Sequence, residues 1–222
     1  SEHCPRTHRR VIEVINTVGL PSGVANVITN APEDAEAVVD RLIAHPAVRR
    51  VNFTGSTRVG RDVAVTAARH LKPCLLALSG KPALIVLEDA DLDRAVEAAV
   101  FGAFFNQGQI CMSVEKVLVH ESIYDDFLRQ FVARAAKLRT GNVADQSNVN
   151  GPLINDRQVV RVKAQIEDAV ARGAKVALGG GVDGRYVEPT ILTHVTPDMD
   201  VWRDETFGPV AVVVPFRTDD EA

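Results

Sequence analysis

Three short segments of the chain carry side chains whose types and spacing could do chemistry. The first is Asn106-Gln-Gly-Gln-Ile-Cys-Met-Ser113, where a helix-like run breaks at Gly108 and Cys111 follows in a polar loop. A loop thiol of this kind can be open to an electrophile, and its own backbone N–H can help to hold an oxyanion. The alternative interpretation of these residues is a buried thiol that packs as a small apolar side chain.

The second segment, Val51-Asn-Phe-Thr-Gly-Ser-Thr-Arg-Val-Gly60, reads as a strand that turns at Gly55 and Ser56 and opens a helix. Unpaired N–H groups and the helix dipole would then point at one place, which suits a phosphate. Gly55 and Gly60 do not form G-x-G-x-x-G, so an ordinary strand–turn–helix connection remains the alternative.

The third segment is Arg203-Asp-Glu-Thr-Phe-Gly-Pro209, in which an acidic pair precedes an aromatic residue and a Gly-Pro stop. Such a sequence predicts a tight, oriented loop. Taken alone, the segment is interpreted as a simple turn with a solvated carboxylate.

The elements that must position these segments alternate between strand-like and helix-like patterns, which predicts an α/β fold with parallel strands. Ser56 is expected to cap one helix, and the Asp89–Asp93 stretch is expected to supply N-cap oxygens and first-turn negative charge to another. The expected strands are 24–28, 51–54, 72–78, 83–87, 114–119, 175–178, 186–192 and 210–216. The expected helices are 32–44, 56–70, from the Asp89–Asp93 stretch to about 105, 122–138 and 156–172, and residues 219–222 read as the start of another.

Composition narrows the function classes. The chain has 222 residues and a net charge of −4, which argues against a general nucleic-acid binder because such proteins depend on clustered Lys and Arg. Its apolar runs are too short to span a bilayer, and no signal peptide is visible, so no membrane association is expected. The odd count of three cysteines, without metal-type spacing, favours a reducing cytoplasm and no zinc site or disulfide framework.

The three segments occur in this order in one large family, and the chain resembles an NAD(P)-dependent aldehyde dehydrogenase over its whole length. The segments that match the family's K-x-S-E, G-x-P-x-G-V, phosphate-turn, nucleophile and E-x-F-G-P motifs are Ser1-Glu2, Gly19–Val24, Phe53–Ser56, Phe105–Cys111 and Glu205–Pro209. Two further stretches, Cys4–His8 and Asn106–Ser113, resemble the salicylaldehyde and related aromatic-aldehyde dehydrogenases.

The resemblance implies a catalytic role for Cys111 and a cofactor site for NAD. Cys111 would attack the aldehyde to give a thiohemiacetal and then a thioester that water hydrolyses. Gly55 and Ser56 would meet the cofactor pyrophosphate. Glu2 would bind the adenosine-ribose hydroxyls, which favours NAD over NADP because a carboxylate repels a 2′-phosphate. Glu205 would hold the nicotinamide ribose, and Phe207 would pack near the nicotinamide.

The chain also departs from the family pattern. The family's E-L-G-G-K appears as Ala77-Leu-Ser-Gly-Lys81, so the glutamate that acts as general base in relatives is replaced by an alanine that cannot accept a proton. Ser79 replaces a glycine that lies close to the cofactor. Glu115, four residues after Cys111, is a candidate substitute base, and the alternative is a strand carboxylate that faces solvent.

The resemblance further implies a partial Rossmann-like dinucleotide-binding sheet followed by most of a catalytic α/β domain. Residues 1–79 are expected to be the second half of the cofactor-binding domain, and residues 80–222 a C-terminally incomplete catalytic domain. The chain is thus interpreted as an internal fragment that lacks the family's oligomerisation hairpin, and its exposed sheet edge could support a homo-oligomer.

Three functional hypotheses follow from these observations. The first is NAD-dependent oxidation of an aromatic aldehyde such as salicylaldehyde. The second is a catalytically impaired, truncated homologue that binds nucleotide or is only acylated at Cys111. The third is an interaction fragment that pairs through its sheet edge with another chain.

Overall fold

The computed structural model describes residues 3–222, which divide between Ser79 and Gly80 into two compact units. Their mixed α/β composition confirms the predicted fold class. In this part of the chain, no helix is long and apolar enough to cross a membrane.

The first unit holds a two-stranded parallel sheet and several helices. Its elements are α1 (Pro5–Asn16), a 3₁₀ turn (Pro32–Asp34), α2 (Ala35–Ala44), β1 (Val51–Thr54), α3 (Thr57–Arg69) and β2 (Cys74–Ala77). The apolar core is small and centres on Ile43, Val63 and Ala67, which come from α2 and α3. The predicted cap of α3 is confirmed, because the Ser56 hydroxyl accepts a hydrogen bond from Val59 N at 3.4 Å.

The prediction of a strand at 24–28 is wrong. This segment has no regular secondary structure, and Val24 and Ile28 are each 60% exposed. A β-strand needs a hydrogen-bonded neighbour, and β1 and β2 pair only with each other among residues 3–222. The apolar pattern alone could not supply that partner.

The second unit is built on a five-stranded sheet in the order β3-β4-β9-β8-β5. The sheet strands are β3 (Ala83–Val86), β4 (Lys116–His120), β5 (Lys175–Leu178), β8 (Thr190–Thr193) and β9 (Val210–Phe216), and a small hairpin joins β6 (Val182–Asp183) to β7 (Tyr186–Val187). The helices are α4 (Leu92–Phe104), α5 (Tyr124–Ala135), α6 (Asp156–Ala171) and α7 (Asp200–Arg203). The Asp89–Asp93 stretch supplies the N-cap of α4, as predicted, and the structure assigns the cap to Asp91, whose Oδ1 accepts from Arg94 N at 3.1 Å.

Helices cover both faces of this sheet, and the central strand β9 shows how. Ala211 and Val213 face the cluster that contains Phe104, Phe127 and Phe131 of α4 and α5. Val210 and Val212 face the opposite cluster, formed with α6 and α7. Successive strand residues point to opposite faces, so a strand buried on both sides reads as a continuous apolar run.

Three further details of the second unit differ from the predictions. Strand β5 pairs antiparallel with β8, although all strands were expected to be parallel. The expected strand 186–192 is two short strands, β7 and β8, separated by Glu188 and Pro189, and proline lacks the N–H that a ladder needs. The last residues form a turn rather than the start of a helix.

Candidate functional site

Three neighbouring parallel strands begin at one edge of the second unit's sheet, and a polar cluster lies there. Lys81 shortly precedes β3, Glu115 directly precedes β4, and the Glu205–Pro209 loop leads into β9. The sheet order places β4 between β3 and β9, all three parallel. Amino ends of neighbouring parallel strands meet at the same edge, so these residues lie side by side despite separations of 34 and 91 positions along the chain.

Lys81 and Glu115 form a buried ion pair at this edge. Lys81 Nζ lies 2.5 Å from Glu115 Oε2, and the two side chains are 10% and 3% exposed. Glu115 Oε1 accepts from Thr206 N at 3.0 Å and Phe207 N at 2.9 Å, and Oε2 lies 2.8 Å from Thr206 N. Lys81 also donates to Thr206 Oγ1 at 3.0 Å. Burial lowers the pKa of Lys81, and the Glu115 carboxylate opposes that shift.

Both expectations for Glu115 are corrected by this geometry. The carboxylate does not face solvent, because Glu115 is 2% exposed. It is also unsuited to replace the missing base, since both oxygens are already engaged by an ammonium group and two backbone amides.

Side chains of helix α6 also hold this loop, because they donate hydrogen bonds to the main-chain carbonyls of the loop. Gln158 Nε2 donates to Thr206 O at 2.7 Å and to Phe207 O at 2.9 Å. Arg161 donates to Glu205 O. Among residues 3–222, no group donates a hydrogen bond to the half-buried Glu205 carboxylate, so the loop fixes its backbone and leaves that carboxylate available to a ligand.

The nucleophile segment turns sharply after α4. Asn106, Gln107 and Gly108 have φ values of 51°, 57° and 66°, three consecutive left-handed residues. At Gly108 an added Cβ would lie 2.1 Å from Gly208 O and 3.1 Å from Ala103 O. This close approach of two glycine backbones brings the nucleophile segment against the Glu205–Pro209 loop.

Cys111 is exposed in the loop that follows this turn. In the part of the chain that the structure describes, neither its thiol nor its backbone N–H has a hydrogen-bond partner. The loop around it is anchored, because Gln109 Oε1 accepts from Ile154 N at 2.9 Å and the Ser113 hydroxyl donates to Gly102 O at 2.9 Å. An accessible thiol beside an unpaired N–H, on a fixed loop, is the arrangement that attack on a carbonyl requires.

The phosphate-type turn lies in the first unit, at the carboxyl end of β1. Gly55 and the exposed Ser56 connect β1 to α3, whose first-turn N–H groups lack intrahelical partners and suit an anion. Ala77 lies beside this turn, because Gly55 N donates to Ala77 O at 3.1 Å. The remaining predicted cofactor residue, Glu2, lies outside the described residues.

Reasoning from sequence missed the ion pair and the three α6 side chains that hold the loop, Gln158, Arg161 and Gln165. The last of these donates to Glu205 O at 3.5 Å. Their spacing of three and four positions places them on one helix face, which is a detectable signal. Nothing in the sequence says that this face meets the Glu205–Pro209 loop.

Comparison with known proteins agrees with the motifs. The family model described as "Aldehyde dehydrogenase family" matches residues 1–222. Vanillin dehydrogenase of Pseudomonas fluorescens is 53% identical over 96% of this chain and 44% of its own length. The crystal structure of a salicylaldehyde dehydrogenase from Pseudomonas putida G7, complexed with salicylaldehyde, is 44% identical and superposes with a TM-score of 0.94 over 98% of this chain and 45% of that one.

A betaine aldehyde dehydrogenase of Staphylococcus aureus in complex with NAD+ is more distant, at 33% identity and a TM-score of 0.87 over 97% of this chain and 43% of that one. The chain spans slightly less than half the length of these relatives. Because the family model covers every residue and the motif segments carry the site described above, the chain belongs to the aldehyde dehydrogenase family.

Proposed function

We propose that this chain carries the catalytic thiol for oxidation of an aromatic aldehyde, such as salicylaldehyde, to the carboxylic acid with NAD. The observation that carries the proposal is the exposed Cys111, with its unpaired N–H, on a loop packed against the Glu205–Pro209 loop. The aldehyde class is inferred from relatives described as vanillin and salicylaldehyde dehydrogenases.

The residues of this chain would act in a short sequence of steps. The Cys111 thiolate forms a C–S bond to the aldehyde carbon, and its N–H stabilises the resulting oxyanion. NAD, when bound, accepts the hydride that leaves this carbon. The thioester that remains on Cys111 is cleaved by water, which releases the carboxylic acid and returns the thiol.

The donor groups present in each unit fit such a cofactor. In the first unit, Ser56 and the amino end of α3 offer hydrogen-bond donors and a positive dipole end to a pyrophosphate. In the second unit, Glu205 offers a carboxylate to ribose hydroxyls, and Phe207 is a half-buried aromatic two residues away. NAD rather than NADP is favoured by Glu2, whose carboxylate would repel a 2′-phosphate.

Ala77 affects the last step, which is hydrolysis of the thioester, because it stands where relatives have the general base. Loss of a general base costs about 10²–10⁴-fold in rate, so acylation of Cys111 can outpace hydrolysis of the thioester. The test must therefore distinguish sustained turnover from the second candidate function, in which the chain binds nucleotide or is acylated at Cys111 without sustained turnover.

NADH formation at 340 nm with salicylaldehyde tests the proposal. The unmodified chain, Cys111→Ala and Ala77→Glu should be compared, with mass spectrometry to detect an acyl group on Cys111. Turnover that is abolished in Cys111→Ala and raised in Ala77→Glu supports the proposal. A single burst of NADH, equal in amount to acylated Cys111 and followed by no further turnover, indicates the second candidate, and the absence of both signals in every variant contradicts both candidates.

We also propose a cellular compartment and a mode of self-association for this chain. We infer a reducing cytoplasm from the odd number of cysteines. A homo-oligomer could form through β3 or β5, the two edge strands of the second unit's sheet.

A further inference from the structure

The segment from Glu205 to Phe207 is held almost wholly through its backbone. Its N–H groups at Thr206 and Phe207 donate to Glu115, and its carbonyls accept from α6. Phe207 is also held at φ 53°, a left-handed conformation that costs a bulky residue free energy. A conformation of this kind persists only where its surroundings impose it.

We propose that Lys81 and Glu115 form a positioning pair that fixes the backbone of Thr206 and Phe207, and so aims Glu205 and Phe207 at the nicotinamide riboside of the cofactor. The ligand named in this inference rests on the proposed function. Neither residue of the pair is assigned contact with substrate or cofactor.

The chemistry of the pair suits positioning better than simple stabilisation. A buried ion pair recovers little more than its desolvation cost, and apolar residues of similar size often stabilise a fold as well. Apolar residues could not satisfy the backbone N–H groups of Thr206 and Phe207, which donate to Glu115. Three donors converge on the carboxylate from Lys81, Thr206 and Phe207, and only a group with two accepting oxygens can serve all of them.

The same pair acts on the nucleophile segment through the next residue of the loop. Gly208 follows Phe207, and its backbone meets Gly108 so closely that an added Cβ on Gly108 would overlap it. A loop that shifts at Thr206 and Phe207 therefore also loses its fit to the turn that precedes Cys111.

Glu115→Gln is the direct test, because it keeps the side-chain shape but replaces one accepting oxygen with an NH₂ group. That group must face either the Lys81 ammonium or a backbone N–H, so at least one hydrogen bond is lost. We expect amide hydrogen exchange in the peptide around 204–209 to accelerate about tenfold or more, since hydrogen bonds to charged groups are the stronger ones.

Two further variants separate positioning from stability. Glu121→Gln is the matched control, because it removes an exposed ion pair with Arg217 in the same unit and should leave exchange at 204–209 unchanged. Lys81→Met with Glu115→Leu removes both buried charges and both accepting oxygens. It should restore much of the stability lost in Glu115→Gln, while exchange at 204–209 stays fast because the Thr206 and Phe207 N–H groups have lost their acceptor.

Stability of the second unit is followed by fluorescence of Trp202, the only tryptophan in the chain, and NAD affinity by calorimetric titration. Selective acceleration at 204–209, with NAD affinity weakened about tenfold, supports the inference. Unchanged exchange at Thr206 and Phe207, or equal acceleration throughout the unit, overturns it. If the unmodified chain does not bind NAD, the proposed function fails, and the exchange comparison still decides whether the pair positions the loop.

Discussion

Replacing Gly108 with alanine should strongly destabilise the second unit, because two costs combine at this position. The residue is left-handed at φ 66°, and an added Cβ would lie 2.1 Å from Gly208 O. The left-handed conformation costs an L-residue roughly 1–2 kcal/mol. Forcing a methyl group into a packed contact costs about 1–3 kcal/mol more, so the sum is on the order of 2–5 kcal/mol.

Two other glycines of the same unit separate these costs. Gly184 is left-handed at φ 55° with no atom within 4 Å of an added Cβ, and Gly80 has neither the strained φ nor a close neighbour. Gly184→Ala should therefore show only the backbone cost of about 1–2 kcal/mol. Gly80→Ala should be close to neutral or slightly stabilising, through the reduced entropy of the unfolded chain.

Urea unfolding followed by Trp202 fluorescence measures all three variants on one scale. Trp202 lies in the second unit, and the Lys116 ammonium lies 4.0 Å from the centroid of the Trp202 ring. The fluorescence signal therefore reports unfolding of that unit. Equal losses for Gly108→Ala and Gly184→Ala would refute the close approach of the nucleophile segment to the Glu205–Pro209 loop. An additional rearrangement of the loop would appear as faster exchange at 204–209 in Gly108→Ala alone.

Three other predictions concern stability. Phe131→Ala should cost about 3–5 kcal/mol in the same urea assay, because this fully buried ring leaves a cavity between α4 and α5. Ser56→Ala should cost the first unit about 1 kcal/mol through loss of the α3 cap, seen as faster amide exchange in α3, with Ser56→Thr as control. The pKa of Asp168 is lowered below its ordinary 3.8 by the Asp200 N–H and then by Arg172. A lowered carboxyl pKa stabilises the fold above about pH 3.8, and this effect is lost as pH falls below 3.8 through the folded-state pKa. Asp168→Asn should therefore flatten the fall in urea midpoint below about pH 3.8, and an unchanged slope there would contradict this assignment.

Local sequence signals located most of the regular elements. The cap at Ser56, the capping stretch Asp89–Asp93 and the apolar runs of β3 and β9 are properties of adjacent residues, so they can be predicted without knowledge of the partners. Predictions that depended on which strand pairs with which were less reliable. The 24–28 segment has the composition of a strand but no neighbour to pair with among the described residues, and β5 has a neighbour whose direction the sequence could not state.

The motif segments around Cys111, Ser56 and Glu205 were identifiable from sequence because each is a contiguous run of residues, and together they indicated the family that the comparisons then showed. The role of Glu115 was not identifiable. Its proximity to Cys111 in the chain suggested a base, whereas the order of β3, β4 and β9 joins it to Lys81 and to the loop before β9. Contiguous residues and their periodicity determine which helices and strands form. The order of the strands in the sheet depends instead on the summed packing of both sheet faces. That order decides which polar groups from distant parts of the chain lie close enough to form hydrogen bonds and ion pairs with one another.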